Sequence, residues 1–228
     1  MTNEPNDGLL TDASQITRCA WCGEDAEYQR YHDTEWGVPI VDDQILFQKI
    51  CLEGFQAGLS WITVLRKRDN FRKSFDNFDF KKVAKYGCKD ISRCLSNPGI
   101  IRHRGKIEST INNAKKALDL VNECGSLASF FWSFEPQREN RPREFTYAVA
   151  RQTTMSAEST ALSKALKKRG WTYVGPTICY SFMQAMGIVN DHVLGCSRRE
   201  EIEKLRDALM RQIPVSYTHL TLPTKRIV

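Results

Sequence analysis

Asn97-Pro98-Gly99-Ile100-Ile101-Arg102-His103-Arg104-Gly105-Lys106 is the run whose reading organises the chain around it. Pro98-Gly99 marks a tight turn. Asp90 opens a short helical segment before it, residues 90–95, and a longer one, residues 102–121, follows. The run is therefore expected to be a hairpin between two helices. The first amides of a helix lack intrahelical acceptors, so such a turn presents N–H groups to phosphate oxygens. Arg102, Arg104 and Lys106 add positive charge beside it. A solvated basic helix face would carry the same charges, so the run points to a nucleic-acid backbone but is not specific for one.

Outward from the hairpin the pattern stays helical. Residues 42–57 carry Ile45, Leu46, Ile50 and Leu52 or Phe55 close to the helical period, with Asp42 and Asp43 as starters and Gly58 as the break. Ser60 caps an expected helix over 61–75, and 79–86 begins with an aspartate. Downstream come 127–134, a polar linker rich in Arg, Pro and Thr over 135–154, then 156–168, 177–186 after Pro176, and a charged 198–211. Strand signals are scarce and no repeat is present. The expected class is all-α.

The two ends carry a second pattern. Cys19 and His32 near one end, and His192-Val193-Leu194-Gly195-Cys196 near the other, supply two sulfurs and two imidazoles. That is a complete tetrahedral donor set, the kind that holds zinc in a closed structural site. His192 and Cys196, four apart, share a face of a helical turn or meet in a tight loop. Cys19-Ala20-Trp21-Cys22 is itself a closely spaced pair, so Cys19, Cys22, His192 and Cys196 form a rival set. Spacing leaves both open. Either set would join residues 18–41 to 155–213 around a helical module over 42–154.

Composition bounds the rest. The 228 residues are 41% hydrophobic, enough for a sizeable core. Residues 1–17 lack the basic start and apolar run of a signal peptide and read as a mobile extension; no later stretch has the apolar length of a membrane span. A cytoplasmic protein is expected. In that compartment the eight cysteines are metal ligands or thiols rather than disulfides, and Cys51, Cys88, Cys94, Cys124 and Cys179 read as small buried or semi-buried hydrophobes. Val215-Ser216-Tyr217-Thr218-His219-Leu220-Thr221-Leu222-Pro223-Thr224 reads like a translated sequencing adapter, so 215–228 is set aside as an artefact tail. Without Lys225 and Arg226 the formal charge falls from +6 to +4, mildly basic.

Four long runs stand in order: Tyr31-His32-Asp33-Thr34-Glu35-Trp36-Gly37-Val38-Pro39; Ile50-Cys51-Leu52-Glu53-Gly54-Phe55-Gln56-Ala57-Gly58-Leu59-Ser60-Trp61-Ile62-Thr63-Val64-Leu65; Gly99 to Ile107; and Cys179-Tyr180-Ser181-Phe182-Met183-Gln184-Ala185 leading to Asn190-Asp191-His192. On these motifs the sequence resembles the constitutive bacterial alkyl-purine glycosylases, the 3-methyladenine DNA glycosylase I family of the helix-hairpin-helix superfamily. The resemblance covers most of residues 18–196. It implies a helix-hairpin-helix DNA glycosylase fold in which a zinc-binding domain joins the N- and C-terminal parts. One structural Zn2+ per chain would sit on Cys19, His32, His192 and Cys196, leaving out Cys22. Glu53, Tyr31, Trp61 and Trp21 would form the base pocket, with Tyr28 and Ser181 in its lining. Gly99, Ile101, Arg102, Arg104 and Lys106 would meet the DNA backbone. Two departures from the family's usual residues are Ala20 for a glycine and Pro176 for a threonine.

The implied chemistry suits these residue types. A base inside a duplex must be flipped out before it can be cut. Tryptophan faces stack on it, and a cationic methylated purine adds a cation–π attraction of up to about 2 kcal/mol when desolvated. Glu53, in an apolar neighbourhood, is costly to bury unless paired, and the cationic base is its expected partner. It would accept from an adenine amino group where guanine offers a carbonyl. Trp36, Trp132 and Trp171 read as structural. Related hairpin glycosylases that also cut the backbone carry a lysine just after the turn; here His103 stands there, and Asp119 reads as a solvent-facing helix residue. Simple hydrolysis follows, without a Schiff base. The expected protein is a monofunctional, monomeric hydrolase of alkylated double-stranded DNA, nucleoid-associated when acting and free of membranes. It releases 3-methyladenine and leaves an abasic site. The competing readings are a non-enzymatic, zinc-stabilised hairpin DNA-binding protein and a zinc-stabilised protein-interaction module.

Overall fold

The computed structural model describes residues 7–142 and 144–212; the adapter-like tail and residues 1–6 lie outside them. The molecule is mostly helical, yet it opens on a small sheet. β1 (Leu9–Thr11) pairs antiparallel with β2 (Thr17–Cys19), Leu10 facing Arg18. From residue 7 onward, then, the expected mobile extension is a docked hairpin. Arg18 holds it: Nη1 donates to Asp12 at 2.6 Å and Nε to Asp33 at 2.8 Å, while the Ser197 amide donates to the Thr17 carbonyl at 2.9 Å. Three-residue strands are too short for alternation to register in sequence.

Helices then follow: α1 (Ala26–Thr34), α2 (Asp43–Gln56), α3 (Trp61–Leu65), α4 (Arg68–Ser74), α5 (Phe80–Val83), α6 (Cys88–Ser96), α7 (Arg104–Cys124), α8 (Leu127–Trp132), α9 (Tyr147–Gln152), α10 (Ala157–Lys168), α11 (Pro176–Ala185) and α12 (Arg199–Gln212). α2 is the axle. Asp42 caps it by accepting from the Ile45 amide at 2.8 Å, and every residue from Leu46 to Phe55 except Gln48 is buried. A helix apolar on nearly all sides belongs in the interior, and α2 packs against α3, α7, α8 and α11. One hydrophobic cluster runs from Tyr31 through these helices to Val189, and a small second one gathers Cys19, Phe145, Val193 and Cys196.

The expected boundaries shift where a cap or a contact overrides the pattern. The single helix over 61–75 is two, α3 and α4, hinged at Arg66 and Lys67. The hinge lets Lys67 reach the Pro98 carbonyl at 3.1 Å and Arg68 pair with Glu35. α7 begins at Arg104 rather than Arg102, because the His103 ring accepts from the Lys106 amide at 3.2 Å and caps it. Inside the expected linker 135–154, Thr146 caps α9. Pro176 starts α11 at its first position, where a missing N–H costs nothing, so this departure is harmless. Of the cysteines expected to be buried or semi-buried, Cys88 is exposed at the start of α6. Trp132 is structural, donating to the Ile40 carbonyl at 2.8 Å, and Trp171 is buried in the core.

Candidate metal centre and aromatic pocket

β2 ends on Cys19, α1 carries His32, and the loop before α12 carries His192 and Cys196. All four are buried, and their ligand atoms lie within 4.8 Å of one another. Cys196 Sγ is 3.4 Å from His192 Nδ1 and 3.5 Å from His32 Nε2; Cys19 Sγ is 3.9 Å from His192 Nδ1. A tetrahedron with metal–donor bonds of roughly 2.0–2.3 Å has edges of roughly 3.3–3.8 Å, so the group could bind a metal ion. Cys22 faces elsewhere, its thiol directed to the Cys19 and Gly23 carbonyls.

The outer nitrogens are anchored too. His32 Nδ1 lies 2.8 Å from Asp33, and His192 Nε2 lies 3.2 Å from the Trp36 carbonyl. Such partners fix ring orientation at metal sites. Burial holds the His192 imidazole below its usual pKa, hence neutral and able to coordinate. A hydrogen bond from Cys19, together with the two imidazoles, favours the Cys196 thiolate, and the Cys19 thiol is pushed up in turn. Gly37, at φ +81°, passes so close that an added Cβ would stand 3.0 Å from His192 Nε2.

Beside this centre lies a cavity of about 330 Å3 whose lining includes Trp21, Tyr28, Tyr31, Glu53, Trp61 and Ser181, all six residues expected at a pocket. Glu53 is only 4% exposed, so its carboxylate is an interior group. Trp61 Nε1 is buried with no hydrogen-bond partner among the described residues. Trp21 is 38% exposed and stands edge-on to Tyr28 and Trp36, with centroids 5.0 and 4.9 Å apart. Trp36, read as structural, also lines the cavity and meets His192 edge-on at 4.6 Å, so it joins metal centre to pocket. Burial, then the negative charge of Glu53, raises the Tyr31 hydroxyl well above its ordinary value.

Sequence reasoning missed Lys49. One turn before Glu53 on α2, its buried ammonium lies 2.8 Å from Glu53 Oε1, donates to the Tyr31 hydroxyl at 2.8 Å, and sits 3.3 Å from a Trp61 ring centroid. The expected partner of Glu53 was a cationic base; the resident partner is this lysine. The i,i+4 spacing of Lys49 and Glu53 was legible as a helical ion pair. Its burial was not.

Residues 97–103 form a turn between α6 and α7. Asn97 ends α6, its Oδ1 accepts from the Gly99 amide at 2.8 Å, and its Nδ2 donates to Ser74 at 2.9 Å. Gly99 passes against α4, where a Cβ would meet Asn70 Cγ at 2.7 Å. Among the described residues, the amides of Ile101 and Arg102 have no intramolecular acceptor. Arg102 and Arg104 are exposed, Arg104 loosely paired with Glu108 at 3.3 Å. Lys106 is the correction. It is 8% exposed and donates to the Phe55 and Ala57 carbonyls at 2.8 and 2.7 Å. The unpaired carbonyls at the end of α2 demand a donor, and Lys106 supplies it instead of facing DNA. Lys106→Met is thus expected to lower stability by about 1–3 kcal/mol in chemical denaturation while leaving the salt dependence of DNA binding unchanged.

Comparison with known proteins now bears on this geometry. The sequence model of the methyladenine glycosylase family matches residues 21–199. DNA-3-methyladenine glycosylase 1 of Escherichia coli strain K12 is 51% identical over 181 residues, covering 79% of this chain and 96% of that protein. DNA-3-methyladenine glycosylase of Haemophilus influenzae is 50% identical over 182 residues, with the same coverage. A crystal structure of a 3-methyladenine DNA glycosylase I is similar at a TM-score of 0.73 and 50% identity, covering 79% of this chain and 98% of that one. The Staphylococcus aureus enzyme, solved to show how it recognises 3-methyladenine, is similar at 0.74 and 34% identity, covering 80% and 96%. With the family match spanning most of its length and relatives half identical over nearly all of theirs, the chain belongs to the methyladenine glycosylase family.

Proposed function

We propose that this protein is a DNA repair hydrolase that flips 3-methyladenine out of alkylated double-stranded DNA and cleaves its N-glycosyl bond, leaving an abasic site. The observation that carries the proposal is the cavity that gathers a buried carboxylate, Glu53, with Tyr31, Trp61 and Trp21. A protein that merely grips DNA has no use for it. Glu53 accepts from the amino group of the flipped base and the tryptophans stack on its ring. Tyr28 and Ser181 complete the wall. N3 alkylation makes the base depart as a neutral molecule, so binding and water exclusion supply most of what the reaction requires.

No Schiff base is needed. His103 caps α7 where a lyase would carry its lysine, the Lys49 amine is engaged by Glu53 and Tyr31, and Asp119 faces solvent beside Lys116. Cys19, His32, His192 and Cys196 would hold one Zn2+, which supplies rigidity and no open position for chemistry. It would tie residues 18–41 to 155–213, while 42–154 forms a helix-hairpin-helix module whose α6 and α7 flank Gly99 and Ile101. We read the protein as a cytoplasmic monomer that works at the nucleoid. No helix among the described residues is long and apolar enough to cross a membrane.

The test is chromatography of free bases released from methylated DNA. Release of 3-methyladenine well above the protein-free control is expected; DNA binding without release would replace this reading with the non-enzymatic one. At the hairpin, Arg102→Ala with Arg104→Ala is expected to weaken binding of undamaged duplex. The slope of log K against log salt should flatten by about 2, roughly 0.9 for each phosphate no longer neutralised. An unchanged slope would make the two arginines a solvated face.

A further inference from the structure

Tyr31, Glu53 and Trp61 converge on one ammonium, Lys49, that does not line their cavity. Lys49 lies on the far side of a shared wall, in a neighbouring cavity of about 530 Å3 that also includes Glu35 and Arg68; Tyr31 and Trp61 line both. An ammonium has three donors and no acceptor. The Tyr31 oxygen must therefore accept from Lys49 at 2.8 Å, and its own proton is left for the cavity. Glu53 gives Oε1 to Lys49 at 2.8 Å and keeps Oε2 for a ligand. A carboxylate this deeply buried is costly unless paired, and Lys49 is the cation that pairs it.

We propose that Lys49 is the positioning residue that fixes which pocket group donates and which accepts, and thereby selects a base with an amino donor beside a ring-nitrogen acceptor. The proposal rests on Glu53, Tyr31 and Trp61 being the base pocket. A carbonyl in place of the amino group would face Glu53 acceptor to acceptor, which is unfavourable in a desolvated site. Lys49 touches no base in this arrangement; it acts through the three residues that do.

The lysine also gives the pocket a pH limit. Burial brings its pKa down to about 8, against the raising effect of Glu53; Arg68 on α4 lowers it further and Glu35, after α1, raises it. The ammonium is thus present at pH 7 and lost as pH rises through 8.

The experiment is calorimetric titration of free 3-methyladenine into the whole protein between pH 7 and 9.5, with melting curves to establish folding. Wild-type affinity is expected to fall about tenfold or more across the range. Lys49→Met is expected to bind about tenfold or more weaker at pH 7 and to lose the alkaline fall. Lys49→Arg keeps its charge at every pH tested and has the neighbouring cavity to occupy, so its affinity should stay level to pH 9.5. A flat wild-type profile, or an alkaline fall that persists in Lys49→Arg, overturns the proposal. Glu53→Gln separates the two levels. Undiminished affinity there removes the pocket reading and the Lys49 proposal together. Weakened binding in Glu53→Gln, with both Lys49 variants matching wild type at all pH values, leaves the pocket standing and Lys49 as packing.

Discussion

Cys19→Ser and His192→Ala are expected to purify with little zinc and to melt well below the parent protein. The four ligand residues come from β2, α1 and the loop before α12, so the metal would staple segments about 170 residues apart in sequence. Their apolar packing is thin, since the second hydrophobic cluster contains Cys19, Phe145, Val193 and Cys196 alone among buried residues, and the rest of the hold is polar, from Arg18 and the Ser197 amide. A typical point mutation costs about 1 kcal/mol, whereas losing a structural zinc site should cost several. Elemental analysis gives the metal content, and thermal melts with and without chelator give the stability. Chelation should reproduce the loss in the parent and add nothing in the variants. Base release should fail only where folding fails, because four protein ligands leave no position for water. Zinc retained in full by both variants would sink the assignment.

Glu53→Gln tests the pocket. It keeps the shape but replaces an acceptor-only carboxylate with an amide that can also donate toward the adenine amino group. A charged hydrogen bond in a desolvated site contributes about 1.5–3 kcal/mol, so base release should fall about ten- to a hundredfold. The variant also leaves Lys49 buried without its counter-charge, 6% exposed at the side chain. Some stability is therefore lost, limited because a lysine already lowered to about 8 can shed its proton. Trp61→Ala removes the ring between Lys49 and the cavity and with it a stacking surface of about 1–3 kcal/mol. Both variants should still bind undamaged duplex, if that affinity resides, as proposed, on the hairpin about Gly99. Wild-type release by Glu53→Gln would place recognition elsewhere.

Much of this site was legible in one dimension. Asn97-Pro98-Gly99 announces its turn because proline and glycine have few ways to be accommodated, and the Asn97 side chain closes it locally. Asp42, Asp79 and Ser156 mark helix starts and cap them, since an N-cap is a contact of three or so residues, and Ser60 stands at the start of α3 without a capping bond. The sulfurs and imidazoles at the two ends limit the metal chemistry before any folding is known, and the family resemblance carries their pairing. These are properties of neighbours, or of atoms that no fold can alter.

The rest was decided by groups brought together from afar. Cys22 and Cys19 are equally cysteine in sequence; only the turn at Ala20–Cys22 points one at the imidazoles and the other at carbonyls. Lys106 reads as a phosphate contact until the end of α2 arrives with two unpaired carbonyls. Lys49 passes unremarked in the sequence, and only the fold shows Tyr31 and Trp61 closing over it. Sequence by itself determined where several of the helices start, where the chain turns at Pro98-Gly99 and which donors a metal could have, because those depend on short-range sterics and on element chemistry. Tertiary structure alone decided which charges are buried and with whom they pair, because desolvation depends on everything packed around a group rather than on the residues beside it.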